Sequence, residues 1–169
     1  FHWNGAITAV YNFTARKGLE LECRFSRQGQ KTEYYLSQYY PSGSGLQDTK
    51  IISNLKFDYL KVPILFCYMS NTEKKFAFVG AIGPQFNNLL HGVLEYNDGE
   101  DKSIDATTFY NRFNFDIALK LALSFKLMSN LELRSGLHFD HDLNSISKDS
   151  NRQMYNFCDG FEIGVNYHL

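Results

Sequence analysis

The chain has 169 residues, with 17 Lys and Arg against 18 Asp and Glu, a net charge of -1. That near-balance gives no electrostatic footprint for nucleic acid, and no apolar run reaches the roughly eighteen residues a membrane-crossing helix needs. Aromatics make up 16%, with 15 Phe, 11 Tyr and only 3 Pro, a mixture that suits β-strands.

Seven stretches alternate apolar and polar residues with period two, which marks strands with one oily and one polar face. The first sets Trp3, Ile7, Ala9, Tyr11 and Phe13 against His2, Asn4, Ala6, Thr8 and Asn12. The second sets Leu19, Leu21, Cys23 and Phe25 against Glu20, Glu22, Arg24 and Ser26. In the third, Leu60, Val62, Ile64, Phe66 and Tyr68 oppose Lys61, Pro63, Leu65 and Cys67. The fourth opposes Phe76, Phe78, Ile82 and Phe86 to Ala77, Val79, Ala81, Gly83 and Gln85. The fifth carries Phe113, Phe115, Ile117, Leu119, Leu121, Leu123 and Phe125 on one face, and Asn114, Asp116, Ala118, Lys120, Ala122 and Ser124 on the other. Leu131, Leu133, Leu137 and Phe139 share a face in the sixth, opposite Glu132, Arg134, Gly136 and His138. The seventh runs from Tyr155 to Leu169, with Asp159 as the one polar break in its oily face.

The connections alternate short and long. Residues 14–17, 70–74 and 126–129 are short; 29–54, 88–111 and 142–153 are longer and polar. Tight turns at one rim and long loops at the other describe an up-and-down transmembrane β-barrel. The expected fold is therefore all-β and antiparallel, a single barrel domain over residues 1–169. Bacterial single-chain barrels have even strand counts. Counting the seven visible strands back from the last predicts eight in all, with the first ahead of Phe1. Aromatics at both strand ends (Tyr11, Phe13, Tyr68, Phe76, Phe125 and Tyr167 inside; Trp3, Phe57, Tyr59, Phe86, Phe113, Phe139 and Tyr155 outside) fit two interfacial belts. The expected location is the outer membrane of a Gram-negative bacterium, with lipid and other outer-membrane proteins as partners and no nucleic acid.

Four segments, Leu19–Glu33 (LELECRFSRQGQKTE), Asp58–Tyr68 (DYLKVPILFCY), Phe76–Phe86 (FAFVGAIGPQF) and Phe161–Leu169 (FEIGVNYHL), together resemble the PorT-like outer-membrane β-barrel family of Bacteroidota. The better marks are the Tyr-Leu-x-Val-Pro strand and the Gly-x-x-Gly-Pro strand. The chain departs from the pattern at Lys61, where the family usually carries an acid, and at Leu169, where barrels often end in Phe. The resemblance implies an outer-membrane barrel, and a role of the kind its best-known members have in assisting type IX secretion.

The inward faces carry Glu20, Glu22, Arg24, Lys61, Asp116, Lys120, Glu132, Arg134 and Glu162. Eight strands leave an interior just wide enough for side chains, and buried charges persist when paired, so these residues are expected to form an ion-pair network that fills the lumen. His138 and Asp140 are the only cluster of catalytic residue types. They give an alternative reading as an outer-membrane hydrolase, yet no poised Ser or Cys accompanies them as nucleophile. The acidic stretch Glu95–Asp105 lacks the ligand spacing of a calcium loop. Cys23, Cys67 and Cys158 show no metal spacing and read as packing residues. Tyr34, Tyr35, Tyr39 and Tyr40 lie in a loop rich in Gly and Ser, which suits an adaptable partner-contact surface. No cofactor and no enzymatic activity are expected; the leading function is a non-enzymatic accessory or scaffolding subunit of an outer-membrane secretion or assembly complex. A third reading, a soluble lipocalin-like binding barrel, would place the apolar faces inside and the charges in water.

Overall fold

The computed structural model describes residues 3–35, 50–70, 75–97, 101–128, 131–149 and 153–167. Seven long strands cross the molecule: β1 (Trp3–Thr14), β2 (Lys17–Tyr35), β3 (Lys50–Met69), β4 (Phe76–Asn97), β6 (Phe113–Lys126), β7 (Leu131–Asp142) and β8 (Phe157–Tyr167). A short β5 (Asp101–Asp105) pairs only with the far end of β4, and a single 3-10 turn (Thr107–Phe109) follows it. Each long strand pairs antiparallel with the next, in the order β1-β2-β3-β4-β6-β7-β8. All the crossing connections are therefore up-and-down.

The period-two pattern sets the pleat. Along β6 every even residue from Asn114 to Ser124 is buried and every odd residue from Phe113 to Leu123 is exposed. The exposed face is the oily one: Phe113 is 70% exposed and Phe161 66%, whereas Glu20 and Asp116 are 1% exposed. This inverts the soluble-protein arrangement, so the lipocalin-like reading is wrong. Its charged residues would have to face water, and they do not. From Phe113 to Phe125 the strand advances roughly 40 Å at about 3.3 Å per residue. A tilt of about 45° reduces that to about 28 Å, close to the apolar band of an outer-membrane barrel.

The sheet curls on itself. Side chains of β2 touch those of β8 and β6, and β3 touches β7, across the interior. Six successive antiparallel steps leave β1 and β8 running parallel to each other, and the two do not pair among the described residues. A cleft of about 700 Å³ separates them, lined by Asn4, Ala6, Gly160 and Glu162 among others. The described strands thus form an open half-barrel, and the strand expected ahead of Phe1 lies outside the described residues.

Prolines and glycines mark the irregular places. Pro63 and Pro84 lack an N–H to donate, and the β3–β4 register is interrupted between Pro63/Gln85 and Phe66/Ile82. Gly83 sits in that gap, where a Cβ would collide with the Ile64 carbonyl of β3. A bulge lies where Asp58 pairs with His91 and Tyr59 with Leu89, leaving Leu90 unpaired on β4. The extra residue resets the parity of β4, so that Leu89 and Gly92 both face inward.

Two expectations need correction. The stretches read as long loops are partly strand: β2 continues to Tyr35, β3 begins at Lys50 and β4 reaches Asn97. Residues 29–35 are mostly polar, and in the β3 and β4 extensions the adjacent Ile51 and Ile52, Leu89 and Leu90, and Val93 and Leu94 break the period-two alternation that would mark a strand. Phe57 and Tyr59 do not join an outward aromatic belt. They share the inward parity of Lys61 and are 5% and 2% exposed. With Leu89 and Ile146 they form an apolar cap under the outer mouth, and Leu55, Tyr110 and Met154 pack against it. The Phe57 and Tyr110 rings meet edge to face at 4.6 Å. The connection after β7 reaches across to the 3-10 turn, with the Asn111 N–H donating to the Ile146 carbonyl at 2.7 Å.

Candidate functional site

The lumen holds the chemistry. β2 contributes Glu20, Glu22 and Arg24 at alternate positions, β6 contributes Lys120, β7 contributes Glu132 and Arg134, and β8 contributes Glu162. Lys120 Nζ lies 2.6 Å from Glu20 Oε1, 2.6 Å from Glu22 Oε2 and 3.4 Å from Glu162 Oε2. Arg134 Nη1 donates to Glu20 Oε2 at 2.9 Å and its Nη2 to Glu132 Oε1 at 3.2 Å. Arg24 binds Glu22 on its own strand and reaches Glu162 Oε2 at 3.2 Å. The Cys67 thiol faces Glu20 Oε2 at 3.6 Å. Strands far apart in sequence are therefore tied together through the interior, each ammonium or guanidinium serving more than one carboxylate.

A second cluster lies nearer the outer mouth. Lys61 of β3 pairs with Asp140 of β7. The Gln85 amide of β4 donates to Asp116 Oδ2 at 2.8 Å and to Asp140 Oδ2 at 3.2 Å. His138 Nε2 lies 2.5 Å from Asp140 Oδ1 without hydrogen-bond alignment. His138, Asp140 and Asp142 all point inward, at 3%, 3% and 4% exposure. The carboxylate a hydrolase would use to orient its histidine is thus also held by Lys61 and Gln85.

Every one of the nine charged residues expected on the inner face is found there, all buried except the partly exposed Glu162. Sequence reading counted five acids against four bases. The interior also holds Asp140 and Asp142, so seven carboxylates face four cations among the described residues. Alternation places Gln85 on the polar side of its strand; its contact with Asp116 follows from register pairing with the adjacent β6, and the curl of the sheet brings Asp140 of β7, one strand further on, within reach. Tyr34 and Tyr35 form the end of β2, opposite Ile51 and Lys50. Tyr39 and Tyr40 lie outside the described residues.

Beyond the oily band the outer wall becomes charged. Arg27 grips Asp58 through two hydrogen bonds of 2.6 and 2.7 Å, and Lys56 meets Glu95 at 2.6 Å. The Arg27 hydrogen bond, outweighing partial burial, holds the Asp58 carboxyl below its ordinary value. In the acidic stretch, Asp105 Oδ1 accepts from the Thr107 N–H at 2.8 Å and so starts the 3-10 turn.

An antiparallel sheet that is oily outside, ionic inside, tightly turned at one rim and extended at the other has the architecture of an outer-membrane β-barrel. The chain belongs to the outer membrane protein beta-barrel domain family, whose model matches residues 2–148, and it resides in the outer membrane. No curated protein and no solved structure matches it.

Proposed function

We propose that this barrel is a non-enzymatic accessory or scaffolding subunit of a larger outer-membrane secretion or assembly machine, of the PorT-like, type IX secretion kind found in Bacteroidota. The observation that carries the reading is the ion-paired lumen, where Lys120 alone contacts three carboxylates and an apolar cap sits above. Charges committed to one another in this way favour a structural role over conduction or turnover. The working surfaces are then the outer wall and the far ends of β2, β3 and β4, with the Tyr34, Tyr35, Tyr39 and Tyr40 stretch as a contact surface for another outer-membrane protein.

Cross-linking in native outer membranes, followed by purification in detergent, should recover this chain with larger outer-membrane proteins. Recovery of the barrel alone would sink the reading. The hydrolase alternative predicts that His138→Ala abolishes lipid or peptide turnover by the folded barrel. The scaffolding reading predicts no turnover that depends on His138.

A further inference from the structure

The level of the lumen just below the apolar cap carries charge that its neighbours do not neutralise. Asp116 of β6 lies directly opposite Asp142 of β7 in the strand register, and the two carboxyls are within hydrogen-bonding reach of each other. Two bare carboxylates cannot share that space without a proton or a cation between them. Asp140 is served by Lys61. Asp116 Oδ2 has the Gln85 amide, and Asp142 Oδ2 has the Asn156 N–H at 2.7 Å. Three carboxylates thus face one ammonium and the His138 imidazole, which lies 2.5 Å from Asp140; with that imidazole uncharged the level carries two negative charges, and all three acids are under 5% exposed.

A second set of observations points the same way. Gln85 and Asn87 of β4 are 0% and 4% exposed; Gln85 pairs in register with Asp116, and Asn87 pairs with Asn114, one step nearer the outer mouth. The Gln85 Oε1, Asn87 Oδ1 and Asp116 Oδ1 atoms have no hydrogen-bond partner. The Gln85 Nε2 contact with Asp116 fixes its orphaned oxygen next to the acid pair. Buried acceptors without donors are costly unless an ion or water fills the gap. A single proton shared by the acid pair would satisfy the pair itself but leave the Gln85 Oε1 and Asn87 Oδ1 atoms without a donor. A divalent cation would satisfy several of the orphaned oxygens and bring the charge to zero.

We infer that Asp116, Asp142, Gln85 and Asn87 form a site for a hard divalent cation, calcium in preference to magnesium. Every donor is oxygen, as hard cations require, and the mixed carboxylate and amide set is irregular. Calcium tolerates such a shell, whereas magnesium keeps its waters and demands an octahedron. No three His, Cys, Asp or Glu side chains among the described residues are grouped for a metal by themselves, so the two amide oxygens are integral to the site.

The test uses the full chain purified in detergent with terbium as the probe, because the buried Tyr59 ring lies close to both aspartates and would sensitise its luminescence. The expected result is tyrosine-sensitised emission displaced by calcium at concentrations at least tenfold below those of magnesium, and a calcium-dependent rise in unfolding temperature. Asp116→Asn should weaken calcium at least tenfold. Gln85→Glu, which adds a carboxylate, should tighten it. Emission unchanged in Asp116→Asn would assign the ion to surface acids and overturn the site. So would the absence of any calcium effect on unfolding, the behaviour of an acid pair that holds only a proton or water. If Asp116→Asn fails to fold, an unaltered calcium affinity in Gln85→Glu overturns it equally.

Discussion

At the scale of single residues, Lys120 is the linchpin of the interior. Its ammonium touches Glu20, Glu22 and Glu162, and among the described residues only Arg24 and Arg134 offer those acids another cation. Removing one member of a buried network leaves its partners charged and uncompensated. Lys120→Met should therefore lower the unfolding free energy in detergent by about 3–5 kcal/mol. Neutralising Glu20 and Glu22 to Gln in the same chain should recover most of the loss, since a matched set of neutral residues carries little desolvation cost. No recovery would mean that Lys120 acts through packing instead. On the outer wall, the Asp58 carboxyl is held below its ordinary value by Arg27. A lowered acid contributes stability above its unfolded value and loses it as pH falls through the folded one. Arg27→Gln should hence destabilise the barrel at neutral pH, and the difference from wild type should fade only as the pH drops through the lowered folded value of Asp58, beneath the ordinary aspartate value of about 4. A difference that persists at low pH would show that the pair does not act electrostatically.

At the scale of elements, alternation in β6 made its two faces readable residue by residue. Leu121 and Lys120 are adjacent in sequence and point to opposite media. Leu121→Arg puts a cation on the lipid face and should cost about 2–4 kcal/mol near the midplane, measured by reversible unfolding from detergent or lipid. Cysteines placed at 121 and 120 should differ in the same sense, the first labelled by lipid-soluble reagents and the second protected. β6, β7 and β8 were legible because one face is apolar with few breaks. The far ends of β2, β3 and β4 were not, because residues 29–35 are mostly polar and the adjacent apolar pairs Ile51–Ile52, Leu89–Leu90 and Val93–Leu94 carry no period-two signal. Phe57 and Tyr59 misled for a different reason. An aromatic near a strand end fits an interfacial belt by composition, but unbroken parity with Lys61 along β3 turns both rings inward to the cap.

At the scale of the whole molecule, an oily exterior around an ionic core predicts heat-modifiable migration. The folded barrel should run faster than its boiled form on a detergent gel, and it should require detergent to stay in solution. A chain that remains soluble and monomeric without detergent would contradict the outward band. The open side between β1 and β8 is a property of this scale alone, because unpaired backbone in hydrocarbon costs several kcal/mol for each group. No individual strand reveals it.

Alternation by itself determined the class of fold, the medium each face meets and the identity of the inward charges, because side-chain direction in a strand follows directly from sequence parity. Tertiary structure alone decided which charges meet. Lys120 reaches Glu20 across a hundred positions of sequence, and Gln85 joins Asp116 to Asp140, only because curvature and register bring β2, β4, β6 and β7 around one axis. The surplus of acids below the outer cap emerged there too: charge balance in an interior is set by which groups share a level, and no one-dimensional pattern carries that distance.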